Sequence, residues 1–190
     1  LVAMDDYSYA WVISNFFRIL RFTAIIIAAV ITPMYVAIMT YHYELIPARL
    51  LAPLVGSRAT VPFPPILEAL FLEFMSEMIK EAAIRLPNKI GQSLGVVGGI
   101  VIGQAVVEAG LTSNVLLIFV GLSLLSSYTF PVYKFSNTIR FIKFPFIILA
   151  SWLGLFGLFL GILYTWIHLL RLTSLGRPYL AVYPVRKTFF

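Results

Sequence analysis

The sequence predicts an all-α integral membrane protein with about four transmembrane helices, an amphipathic acidic helix and interfacial helices. Three observations carry that prediction. Hydrophobic residues fill 61% of the 190 positions and charged residues only 12%, whereas soluble domains carry roughly a quarter charged residues. Mean hydropathy is +0.95. The segment from Ile90 to Ala109, IGQSLGVVGGIVIGQAVVEA, has no charge before Glu108. At about 1.5 Å per residue a helix of that length covers about 30 Å, the thickness of a bilayer's hydrocarbon core.

The elements follow in order within one membrane domain, 1–190. Residues 1–21 are amphipathic, contain Trp11, Arg18 and Arg21, and read as an interfacial segment. The first span is 22–41, with a kink or break expected at Pro33. Residues 42–63 hold Pro47, Pro53, Gly56 and Pro62 and read as loop. An amphipathic helix is expected over 64–86, opened by Pro64 and Pro65. Its wheel gathers Glu73, Glu77, Lys80 and Glu81 on one face and Leu67, Phe71, Met75, Met78 and Ala82 on the other. Glu77–Lys80 and Glu81–Arg85 have the spacing of ion pairs within one helix. The charged face is too rich for lipid, which places this helix at the interface or inside an assembly.

The second span is 90–109 and the third 115–130, short for a bilayer and ended by Pro131. Lys134, Arg140 and Lys143, interleaved with aromatic residues, read as a headgroup-level segment before the fourth span, 145–167. A basic tail, 168–190, closes the chain. Charge does not orient these spans. Arg18, Arg21, Arg171, Arg177, Arg186 and Lys187 would share one side, and the other eight basic residues the opposite one. The chain starts with Leu and reads as a trimmed domain without a signal peptide.

Several function classes are excluded by residue type. There is no cysteine, hence no disulfide or cysteine-ligated metal. The only aspartates, Asp5 and Asp6, lie outside every span. His42 and His168 sit at span edges as solvated or capping residues, and no HExxH, GxSxG or phosphate-loop pattern occurs. No enzyme activity, metal or cofactor is expected. The +6 net charge suits anionic lipid headgroups, and no nucleic-acid partner is expected.

The sharpest candidates lie on the second span. Gly91, Gly95, Gly99 and Gly103 recur every fourth residue and make a band where another helix backbone approaches closely. Ser93, Val97, Gln104 and Glu108 fall in a sector of about 60° nearly opposite, with Val101 at its border. Around an axis these positions would form a hydrophobic constriction at Val97 or Val101, a polar ring at Gln104 and a cation-favouring ring at Glu108. The equally simple alternative is that Gln104 makes one interhelical hydrogen bond and Glu108 reaches interfacial water. Glu73, Glu77 and Glu81 read as a solvated face, whereas Glu68, on the apolar side, needs a partner such as Arg85 or a base from another helix.

The run VPFPPILEALFLEFMSEMIKEAAIRLPNKIGQSLGVVGGIVIGQAVVEAGLTS resembles the core motif of the spore germinant-receptor A-subunit family. YVAIMTYHYELIP before it and HLLRLTSLGRPYLAVYP after it resemble the same family, so the likeness covers about residues 7–184. The ending RLTSLGRPYLA is closer to the stage V sporulation protein AF branch. The resemblance implies a protein of the spore inner membrane that acts in germination. It also implies a homo-oligomeric, pentameric cation channel working with B- and C-type receptor subunits. The family's soluble N-terminal domain is not recognised in this stretch. The expected function is therefore an oligomeric channel that releases monovalent cations. A non-conducting scaffold for partner subunits and a secondary transporter are the alternatives.

Overall fold

A computed structural model describes residues 11–85, 99, 101–129, 133–174 and 177–178. Apart from one small hairpin, everything described is helix or connecting turn. Helix α1 is Trp11–Tyr41 and runs unbroken across the boundary expected at 21/22 and through Pro33. Thr23 and Thr40 donate their hydroxyls to the carbonyls of Ile19 and Val36, one turn back. That satisfies polar side chains locally on an otherwise apolar helix.

Residues 42–63 are not the plain loop expected. They hold a 3₁₀ turn at Tyr43–Leu45 and helix α2, Ala48–Arg58, with Pro47 at its start and Pro53 inside it. Proline needs no donor in a first turn, so Pro47 opens a helix rather than preventing one. Helix α3 is Pro65–Arg85, and the short described helix α4 covers 101–108. Gly110 ends α4 at φ +67°. The amides of Gly110 and Leu111 donate to the carbonyls of Val107 and Val106, a glycine-terminated C-cap. Ser113 then caps helix α5, Asn114–Tyr128, through Leu116 N–H.

The last helix, α6, is Tyr133–Arg171, and it is not straight. Gly154 sits at φ 63°, ψ −142°, conformations reserved for glycine. Beyond it the chain folds back against itself. A Cβ on Gly157 would run into the Leu149 carbonyl, and one on Gly161 would lie 2.9 Å from the Phe146 ring. Residues 146 and 161 could not meet along one straight helix, whose axis would part them by about 22 Å. The fourth span expected at 145–167 is therefore two arms, 133–153 and 155–171, packed through Gly157 and Gly161. After them come two-residue strands β1, Thr173–Ser174, and β2, Arg177–Pro178, paired antiparallel.

Two described helical segments are long and apolar enough to cross a membrane, α1 and, taken through the break at Gly154, Ser136–Arg171 of α6. About four were expected. Helix α5 is apolar but has 15 residues, and half of 90–109 lies outside the described residues. The core joins Tyr35 and Val36 of α1, Ala69 and Leu72 of α3, Val106 of α4, Leu116 and Val120 of α5 and Ile147 of α6. α1 carries the frame, with its most extensive contacts to α6 and α5.

Candidate functional site

Helix α3 is built inside out. Glu68, Glu73, Ser76 and Lys80 are buried, whereas Leu67, Phe71, Phe74 and Met78 face outward. In water that arrangement would be unstable. In lipid it is the favourable one, because apolar side chains meet acyl chains and charges meet each other. The solvated acidic face expected from the sequence is thus the inner face for Glu73 and Lys80. Glu81 remains exposed.

The buried charges are paired across helices, not within α3. Glu73, 0% exposed, accepts from Lys143 Nζ of α6 at 2.6 Å, and Lys143 is itself only 2% exposed. Thr32 of α1 donates to the other Glu73 oxygen at 2.6 Å. Lys143 also donates to Ser123 of α5 at 3.1 Å, and Ser123 donates to the Ala28 carbonyl at 2.9 Å. Four helices therefore meet at one ion pair. Thr32 lies near the middle of the apolar part of α1, so this pair sits deep in the bundle.

Further polar contacts continue along α3 in both directions. Glu77 pairs with Arg140, which also donates to Asn137 Oδ1 at 2.9 Å. Lys80 donates to Ser127, and its ammonium lies 4.7 Å from the Tyr128 ring centroid. In the other direction Glu68 accepts from Ser113 N–H at the start of α5, and its second oxygen lies 3.6 Å from Arg58 Nε of α2. Tyr35 and Ser113 share a hydrogen bond of 3.2 Å.

These contacts bear on three expectations. The intrahelical Glu77–Lys80 pair does not form, because Arg140 takes Glu77 and Lys80 turns to Ser127. Arg140 and Lys143 do not open to headgroups; both are buried against α3. Glu68 does have a basic partner from another helix, and that partner is Arg58. The hidden signal was the serine spacing in α5. Ser123 and Ser127 are one turn apart and both buried, which marks a polar stripe on an apolar helix.

Ser93, Val97, Gly91 and Gly95 lie outside the described residues. Of the rest, Gly103 is buried against α5, where a Cβ would stand 3.4 Å from Leu117. Gly99 has nothing within 4 Å of where a Cβ would be. Val101, Gln104 and Glu108 all face away from the chain's own body, Val101 being 58% exposed. Helix α4 thus packs inward through Gly103 and Val106 and leaves the polar side uncovered. His42 stands at the start of the 3₁₀ turn without a side-chain cap, and its Nδ1 is buried without a hydrogen bond. His168 is exposed and stacks on Tyr164. Among the described residues no three His, Cys, Asp or Glu converge as a metal site.

A profile of the family described as Bacillus/Clostridium GerA spore germination protein matches residues 1–189. The chain belongs to the GerA spore germination protein family. It is 57% identical over 185 residues to spore germination protein GerQA of Bacillus cereus, covering 97% of this chain and 37% of that protein. To spore germination protein GerIA of the same organism it is 53% identical over 186 residues, 98% of this chain and 28% of the relative. Spore germination protein A1 of Bacillus subtilis (strain 168) is 42% identical over 175 residues, with 92% and 36% covered. The chain therefore spans well under half the length of these relatives. No solved structure matches it. Family membership and the two long apolar helices make this GerA-family chain a membrane protein.

Proposed function

We propose that this GerA-family chain forms the membrane part of an oligomeric germination unit that conducts monovalent cations across the spore inner membrane. The carrying observation is the two-sidedness of α4. Gly103 and Val106 seat it on its own subunit, whereas Val101, Gln104 and Glu108 remain uncovered on the other side. Copies arranged around an axis, as pentamers or another ring, would turn that side to the centre. Val101 then closes the path by dewetting, Gln104 replaces part of an ion's water shell, and Glu108 favours cations. The role is non-enzymatic, and B- and C-type germination subunits are the partners that the resemblance implies.

Reconstituted liposomes loaded with a potassium-sensitive dye test the reading. Val101→Ala is expected to raise basal leak at least several-fold, and Glu108→Gln to reduce the preference for cations over anions. Tight vesicles from a Val101→Ala protein that assembles like the wild type would overturn the gate. If no variant conducts while complexes with partner subunits persist, the scaffold reading replaces the channel.

A further inference from the structure

We infer that the oxygen cage around Lys143 is a monovalent-cation site that the protein fills with its own tethered ammonium. The proton positions make the argument. Ser123 commits its hydroxyl proton to the Ala28 carbonyl at 2.9 Å, which leaves its lone pairs facing Lys143. Thr32 donates to one Glu73 oxygen at 2.6 Å, and Lys143 takes the other, also at 2.6 Å. The cage is two oxygens, Glu73 Oε2 and Ser123 Oγ, held in place by Thr32 and the Ala28 carbonyl, and a single positive charge balances it. One carboxylate with neutral oxygen donors suits a monovalent ion; divalent ions gather more carboxylates and hold their waters tightly.

The cage and its plug come from different elements. Glu73 belongs to α3, Thr32 and Ala28 to α1, Ser123 to α5, and Lys143 to the first arm of α6. A shift of that arm withdraws the ammonium and leaves Glu73 buried. The flexible lysine stem permits such a withdrawal. The stranded carboxylate must then take up either a cation from the solution or a proton, since an unpaired charge is not sustained at this burial. The neighbouring charges do not offer another partner. Arg140 is engaged with Glu77, and Lys80 with Ser127 and Tyr128. This site is separate from the exposed side of α4, and its test does not depend on conduction.

Thermal unfolding of the purified protein in lipid nanodiscs distinguishes the outcomes. Wild type, Lys143→Met and the double variant Glu73→Gln/Lys143→Met are compared in choline, potassium and ammonium chloride at one ionic strength. Lys143→Met is expected to unfold about 5 °C or more higher in potassium or ammonium than in choline, with saturation. Wild type and the double variant should respond equally to all three salts. Recovery of Lys143→Met only in potassium or ammonium would support the site as well. Equal midpoints in the three salts, the same rise in the double variant, or a Lys143→Met protein recovered in no salt would each overturn it.

Discussion

At the residue scale, Lys143 shows how a full charge persists inside an apolar bundle. Its ammonium is met by a carboxylate and a hydroxyl from two other helices, so desolvation is offset by charge-assisted bonds. Removing one partner strands the other. Glu73→Leu alone is expected to cost about 3–5 kcal/mol, whereas Glu73→Met/Lys143→Met should recover most of that loss. Unfolding midpoints in nanodiscs check both. Glu77→Gln should cost less, because the Glu77–Arg140 pair is partly open and Arg140 keeps Asn137. The sequence made part of this legible. It marked Glu68 as needing a base, and Arg58 supplies one. It placed Lys143 among aromatic residues and so at a headgroup, because the deciding carboxylate lies 70 positions upstream. No local pattern carries that information.

At the element scale, α3 was legible as a two-faced helix and illegible in its direction. A wheel separates charged from apolar residues but does not say which side has water. Here the described partners of Glu73 and Lys80 are all inside, and the apolar face turns out. Placing a single cysteine at Phe74 or Met78 is a direct check, since this chain has none of its own. Membrane-impermeant maleimide should leave both positions unlabelled in liposomes and label a cysteine at Leu45. Equal labelling would refute the inverted helix.

The glycines divide in the same way. The band at 91, 95, 99 and 103 was visible as a packing row, but nothing around Gly154 resembles a turn sequence. The reversal depends on one residue's backbone and on how closely the arms then approach. Gly154→Ala is expected to destabilise by about 1–3 kcal/mol from backbone strain alone, with the His42 ring 2.8 Å from the new Cβ adding to it. Gly99→Ala, with open space around it, should be neutral or stabilising by up to about 1 kcal/mol. A lowered midpoint for Gly154→Ala beside an unchanged or raised one for Gly99→Ala is the expected measurement.

At the scale of the whole molecule, the helical class was plain from composition, because a chain so rich in apolar residues has no surface suited to water. The arrangement was not plain. Four separate apolar runs suggested about four crossings, the first broken or kinked at Pro33, yet α1 runs unbroken from Trp11 and α6 doubles back. Large apolar side chains remain on the outside of most described helices, including Trp152, Phe156 and Phe159. A surface of this kind is satisfied by lipid or by further copies. Mass measurement in native nanodiscs should give an oligomer whose size is unchanged by Val101→Ala. A monomer at every lipid-to-protein ratio would remove the ring from the proposed function.

The reversal at Gly154 also decides which compartment the end of α6 occupies. Since the second arm retraces the first, Arg171 and Arg177 emerge on the side from which Tyr133 enters. They therefore join Lys134 in any comparison of basic residues across the bilayer. Arg140 and Lys143 leave that comparison altogether, because their charges are already neutralised in the interior. A count of basic residues along the chain therefore differs from one made across the fold, and the difference traces to the backbone of Gly154.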